Sequence, residues 1–304
     1  VQISAWREPE AGPSSYRLAW VATGEGGHPL GIAYLRVPTA VGTLHRAEVE
    51  VQVHPAERQR GAGSALLDKA VEAARKLGRR TLITGPVTAG PVTGGPVAGG
   101  PVAGDASFLI ARGFRPVLNL TFSRLPMARA GDPRLAALAG EPHPGYRLNS
   151  WEGTVAGDLA PTFAASRRAM DDMPMDEADV AAEEWDVDRV RAIAAAVTER
   201  GDILCTVAAM HEPDGAIVGF TELVVPGDGT GDAQHYGTGV LPGHRGRGLA
   251  RWMKATAVLH VRDAHPGIEG LLTDTAESNV AMRRVNDDLG YEPTHRSVLY
   301  QLDL

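Results

Sequence analysis

Thr238-Gly-Val-Leu-Pro-Gly-His-Arg-Gly-Arg-Gly248-Leu249 and Val51-Gln-Val-His-Pro-Ala-Glu-Arg-Gln-Arg-Gly-Ala-Gly63-Ser64 follow one pattern: strand residues, a basic glycine-rich turn, then the start of a helix. The first N–H groups of a helix have no partner within it, and the helix dipole adds partial positive charge there. Gly61, Gly63, Gly246 and Gly248 let backbone approach a ligand closely, and Arg58, Arg60, Arg245 and Arg247 add charge. Such a turn suits a pyrophosphate. No Gly-Lys-Ser/Thr follows, so neither copy is a Walker loop. Both lack the third glycine of a dinucleotide fingerprint.

Around these turns the same order of elements reads twice. In the first half, strands are expected over 17–23, 29–37 and 44–54, a helix from the turn through Arg80, a strand over 81–85 and a short helix over 105–112. In the second half, strands are expected over 203–209, 216–225 and 233–241, a helix over 249–263, a strand over 269–275 and a helix over 280–289. The pairs Gly31/Gly219, Gly61/Gly246 and Gly113/Gly290 lie 188, 185 and 177 residues apart, which points to a duplicated domain. Residues 127–145, rich in Pro, Gly and Ala, read as a linker with one short helix. The boundaries are therefore 1–126 for the first domain, 127–144 for the linker and 145–304 for the second. The first domain reads as truncated at its start and degenerate. Residues 85–104 are four tandem pentapeptides (GPVTA, GPVTG, GPVAG, GPVAG) and read as a flexible loop, with a lid as the alternative.

The 304 residues fit two domains, and 43% hydrophobic residues suffice for real cores. A net charge of −7 argues against a nucleic-acid partner. No apolar run is long enough to span a bilayer, and no signal sequence opens the chain. Cys205 is the only cysteine, which excludes an intramolecular disulfide and fits a reducing cytoplasm. No metal site is expected, and a homodimer stays open.

The two turns resemble the pyrophosphate loop of the GNAT superfamily of N-acetyltransferases, Arg/Gln-x-x-Gly-x-Gly/Ala. Arg58-Gln-Arg-Gly61-Ala-Gly63 matches it fully, and Gly243-His-Arg-Gly246-Arg-Gly248 all but its first position. Asn279-Val-Ala-Met282 through Gly290-Tyr291 is similar to the family's Asn-x-x-Ala/Met…Gly-Phe helix. The resemblance implies an α/β (α+β) fold of two acyl-CoA acyltransferase domains, each a mixed, splayed sheet flanked by helices. Tandem members such as mycothiol synthase and acetyltransferases of natural-product pathways share the two-copy layout. It further implies acetyl-CoA as cofactor. Its pyrophosphate and arm would lie on Val240, Leu241, Gly243, His244, Arg245, Gly246, Arg247, Gly248, Leu249, Asn279 and Asn286 in the second domain. In the first, the corresponding residues are Val51, Val53, Arg58, Gln59, Arg60, Gly61, Ala62, Gly63 and Ser64.

The family's usual acid, a tyrosine in the last helix, is replaced by Asn286, with Tyr291 as a substitute or a core residue; the first domain has Leu109 in that slot. The thioester oxygen calls for a backbone N–H near Val240 or Leu241. Glu222, in mid-strand, is the first candidate base, with a solvated strand face as the plain alternative; Asp274 and His235 are weaker, as are Glu48 and Glu50 in the first half. Between Asp171 and Asp188 nine acids crowd 18 residues (Asp171, Asp172, Asp176, Glu177, Asp179, Glu183, Glu184, Asp186, Asp188), either an acidic lip for a cationic amine or a solvated helix face. Met170, Met173 and Met175 beside them could line a pocket or pack in a core. The expected activity is acetyl-CoA-dependent N-acetylation of a small-molecule amine in the second domain, the first binding CoA or serving structurally. A CoA-binding pseudoenzyme or sensor, catalysis by the first domain, and a protein-lysine acetyltransferase remain open.

Overall fold

The computed structural model describes residues 1–6, 15–39, 41–89, 106–179 and 184–304. The chain divides into two compact units: Val1–Leu120 with Met175–Ala182 and His295–Leu304, and Thr121–Pro174 with Glu183–Thr294.

The first unit runs β1 (Gln2–Trp6), β2 (Ser15–Thr23), β3 (Pro29–Pro38), β4 (Arg46–Val53), α1 (Ala62–Lys76), β5 (Thr81–Thr84), β6 (Val87–Ala89), α2 (Ala106–Ala111) and the start of β7 (Arg115–Pro126). Strands β1 to β4 form an antiparallel meander, and β5 joins β4 in parallel. The apolar stripe of α1 (Leu66, Leu67, Ala70, Ala74) is buried against Leu35, Ala47 and Val49 among others, the outcome expected of its helical spacing.

The second unit continues with α3 (Pro133–Ala139), β8 (Tyr146–Glu152), α4 (Ala160–Ser166), α5 (Val187–Glu199), β9 (Ile203–His211), β10 (Ile217–Val225), β11 (Gly231–Val240), α6 (Leu249–Ala264), β12 (Ile268–Ala276), α7 (Val280–Leu289) and the start of β13 (Glu292–Asp303). Its sheet has the order β12-β11-β10-β9-β8, with β11 and β12 parallel and the other pairs antiparallel. One face packs on α6 through Leu223, Val225, Ala233, Met253 and Val258. The other packs on α4 through Phe163, Phe220 and Met210.

Two expectations change. Residues 295–304, expected with the second domain, belong to the first unit, because Gln301–Asp303 pair antiparallel with Thr81–Ile83. The first pentapeptide is not loop throughout: Val87–Ala89 forms β6, antiparallel to Arg296–Val298. The remaining repeats, 90–104, lie outside the described residues. Among the described residues no helix is long and apolar enough to cross a membrane.

Candidate active site

The basic turns fold alike in both units, in a register two residues from the expected one. A short 3-10 turn, Pro55–Glu57 or Pro242–His244, ends at an extended arginine, Arg58 or Arg245. That arginine's Nε donates to the last strand carbonyl, Arg58 to Val53 at 3.3 Å and Arg245 to Val240 at 2.8 Å. Helix α1 then starts from Gly61 (φ 84) and α6 from Gly248 (φ 78), both left-handed caps with no side-chain hydrogen bond. Gly61 therefore corresponds to Gly248, and Gly246 (φ 73) to Gln59 (φ 61). In this register Arg245-Gly-Arg-Gly248-Leu-Ala250 matches the loop pattern completely, which corrects the alignment on Gly243.

Because neither cap offers a side-chain acceptor, the N–H groups of Ala62, Gly63 and Ser64, and of Leu249, Ala250 and Arg251, have no intrahelical partner; the first internal bonds are Ala65 to Gly61 and Trp252 to Gly248. These amides form the anion cradle. The arginines are less open than expected. Arg245 is held by Asp172 through two bonds of 2.6 Å, and Arg60 by Glu57 at 2.8 Å. Both brace the loop. His244 is taken by the Tyr146 hydroxyl at 2.9 Å, and the Leu249 side chain is core. Arg247 is exposed and makes no side-chain ion pair among the described residues, so it is the cation left for a phosphate. Arg247→Ala is expected to weaken binding of a diphosphate-bearing ligand about 5- to 10-fold by calorimetry, about 1 kcal/mol, the scale of one hydrogen bond open to water.

Beside each cradle the parallel pair opens. Strand β11 pairs with β12 only through Gln234↔Leu272, although both strands continue; β4 pairs with β5 only through Val49↔Thr84. The Leu241 N–H is spent on the Val218 carbonyl (2.8 Å), so Leu241 offers no donor to a thioester, contrary to one alternative. The alternation of an antiparallel ladder then turns the Thr238 and Val240 N–H groups to the opposite edge of β11, into the opening. His54 donates to Leu30 in the same way (2.9 Å), leaving Val51 and Val53 facing the opening in the first unit.

In the second unit α7 borders the opening with polar groups. Asn279 caps the helix, its side chain accepting from the Met282 N–H at 3.1 Å. Asn286 is buried and donates to Thr275 Oγ1 at 3.0 Å, while its own amide oxygen is buried without a partner. Tyr291 is a core residue: its hydroxyl meets His235 Nε2 at 2.7 Å, and burial raises its pKa. It is therefore a poor donor to a leaving thiolate.

Glu222 is not on a solvated face. It is buried and bonded to Arg167 at 2.5 Å, and the guanidinium lies over the rings of Phe163, Trp185 and Phe220 at 4.9, 4.7 and 4.3 Å. The carboxylate is committed to a buried ion pair rather than open to a substrate, so the pair is structural, which corrects the expected base. Asp274 is placed better. It lies two residues past the last residue of β12 that pairs with β11, on the face opposite α6, exposed to water yet flanked by protein, and desolvation raises its carboxyl above the usual range. In the first half, Glu48 pairs with Arg36 and Glu50 accepts from Gln52.

Sequence reasoning missed Lys254. It lies on the inner face of α6, fully buried, with Nζ 5.0 Å from the Tyr291 ring centre, and burial pulls its pKa down to about 7 against the opposing field of Asp274. Its only trace in the sequence is a lysine between the core residues Met253 and Ala257. Unfolded, this amine keeps its proton up to about its ordinary 10.5, so above pH 7 the unfolded chain binds more protons and rising pH stabilises the fold. Between about pH 7 and 9 the gain is expected to be about 2 kcal/mol in denaturant titrations, and Lys254→Met should abolish it. Above that window Cys205, pushed up to about 12 from 9.0, acts in the opposite direction.

Four of the nine acids in the acidic stretch have named partners. Asp172 holds Arg245, Glu177 pairs with Arg115, Asp179 bonds His45 and Thr81, and Asp186 caps α5. Glu183 lies outside the described residues. Met170 packs in the α4-face core, whereas Met173 is exposed.

A splayed mixed sheet beside an open helix terminus, built twice in one chain, defines a tandem acyltransferase-type α/β protein. The chain belongs to the Acetyltransferase (GNAT) family, whose model matches residues 3–88 and 168–291. Among solved structures it is similar to a tandem GNAT protein from the clavulanic acid biosynthesis pathway, with 28% identity, a TM-score of 0.74, and 96% of this chain and 84% of that one covered. It also resembles a GCN5-related N-acetyltransferase from Sphaerobacter thermophilus at 16% identity and a TM-score of 0.59, covering 94% and 80% of the two chains, a likeness of fold. No curated protein matches it.

Proposed function

We propose that the second unit transfers an acetyl group from acetyl-CoA to the amine of a small molecule, and that the first unit is a CoA-binding or structural partner. The observation that carries this reading is the contrast between two equivalent openings. Both have the amide cradle, but only the second has Asn279 and Asn286 on its last helix and Asp274 on the strand beyond the splay. The first has Leu109 in the Asn286 slot, packed against its core.

The residues present suit coenzyme A: three open amides and Arg247 for a diphosphate, the free edge of β11 for an amide-rich arm, and the unpartnered Asn286 oxygen beside it. When bound, acetyl-CoA supplies an activated acetyl group. The Val240 N–H is placed to stabilise charge developing on a carbonyl oxygen at the splay. Asp274 takes the proton of the incoming ammonium, directly or through water, and desolvation, which raises its pKa, makes it a stronger base than an ordinary aspartate. Its carboxylate also favours cationic acceptors. Thiol release from acetyl-CoA measured with a panel of small amines, beside lysine peptides, tests the assignment. Turnover with at least one small amine, exceeding that with peptides, is expected. No release with any amine despite CoA binding would make the protein a binder or sensor.

A further inference from the structure

Away from the cradle, at the far end of α6, four side chains converge. Glu152 closes β8 and lies directly opposite Cys205 on β9, so the ladder register sets both on one face. His260 sits in the last turns of α6. His265 caps that helix at φ −129 and ψ 66, and the break in helical geometry turns its ring back to the same point. The Nε2 atoms of His260 and His265 lie 3.0 and 3.1 Å from the same Glu152 oxygen. Cys205 Sγ is 3.7 Å from that oxygen and 3.9 Å from His265 Nε2, and all four atoms lie within 4.8 Å of one another. Ligands about 2.0–2.3 Å from a tetrahedral zinc ion are separated by about 3.3–3.8 Å, so the four need only small movements to enclose one.

From this geometry we propose that Glu152, Cys205, His260 and His265 form a zinc site that fastens the C-terminal end of α6 to β8 and β9. The donor set is chemically selective. One thiolate and two imidazoles favour a borderline metal such as Zn²⁺ over Mg²⁺ or Ca²⁺, which prefer oxygen. Thiolate and carboxylate together carry two negative charges, which cancel those of the ion. Four protein ligands leave no open position, so the site is structural. Without an ion the cluster is poorly matched, since two imidazoles compete for one carboxylate oxygen and a thiol contributes only weak contacts at 3.7 and 3.9 Å. On binding, the S–H bond breaks, the sulfur lone pair forms the S–Zn bond and one proton leaves to solvent; both imidazoles bind neutral.

The test uses the full chain, stripped with a chelator and titrated with Co²⁺ and then Zn²⁺. Visible tetrahedral d–d bands, a near-ultraviolet sulfur-to-cobalt band saturating at one equivalent, displacement of both by Zn²⁺, and release of about one proton per ion are expected. Zinc should also raise the melting temperature. Cys205→Ala, a change a buried small-residue site accommodates, should remove the sulfur band, and His265→Ala should weaken Zn²⁺ binding at least ~100-fold. A folded wild-type chain that gives no sulfur-to-cobalt band, or equal zinc affinity in wild type and both variants, overturns the proposal. Because the wild-type spectrum alone decides, an unfolded variant does not obscure the result.

Discussion

Ala250→Asp is expected to cut the affinity for acetyl-CoA at least ~100-fold while leaving the melting temperature within a few degrees. Ala250 is the second residue of α6, and its N–H is one of the three open amides of the cradle. A carboxylate there suits the helix itself, since acids in a first turn contribute about 0.3–1 kcal/mol. It opposes a diphosphate. Two unit charges 4 Å apart repel by about 4 kcal/mol at an effective dielectric near 20, and surface screening leaves about 3 kcal/mol, or two orders of magnitude in affinity. Calorimetry and thermal melts on the same sample separate the two effects. Gly63→Asp makes the corresponding change in the first unit and should leave kcat within about 3-fold. If Gly63→Asp abolished turnover and Ala250→Asp did not, the chemistry would belong to the first unit.

Asp274→Asn is expected to lower kcat by about 100- to 1,000-fold with the KM for acetyl-CoA within about 3-fold, the range of a lost general base. Asn has nearly the same shape, and Asp274 is accessible to water, so the fold should be unaffected. Glu222→Gln is expected to do the reverse. It leaves Arg167 buried beside three aromatic rings without a counter-charge, so stability should fall by about 3 kcal/mol while the folded fraction keeps its kcat within a few-fold. Steady-state kinetics and urea titrations on the two variants distinguish the roles. A slow, stable Glu222→Gln beside an active Asp274→Asn would return the base to Glu222.

The duplicated strand–turn–helix was legible because its physics is local. A basic glycine turn before an amphipathic helix means the same thing wherever the chain goes next, and α6, β10 and α7 form where their spacing places them. The register of the second turn was not legible from glycines alone. It depends on which glycine takes the left-handed cap, and Gly246 and Gly248 both have positive φ. Side-chain roles depend on partners distant in sequence. Glu222 reads as a lone acid in a strand until Arg167, 55 residues earlier, is placed against it. The nine acids read as one surface until Arg245, Arg115 and His45 claim three of them. Strand β13 escaped although Val298, Tyr300, Leu302 and Leu304 alternate, because its partners, β5 and β6, lie more than 200 residues earlier. In the Glu152–Cys205–His260–His265 cluster only His260 and His265, with four residues between them, carry a zinc-like spacing, which is weak by itself, and Glu152 and Cys205 come from β8 and β9.

Backbone amide chemical shifts of isotope-labelled protein, followed during a coenzyme A titration, address the cradle most directly. Leu249, Ala250 and Arg251 should move first and farthest, with Val240 following along the free edge of β11. If those four resonances stayed still while coenzyme A saturated the protein, the diphosphate would bind elsewhere and the assignment of the second unit's helix terminus would be wrong.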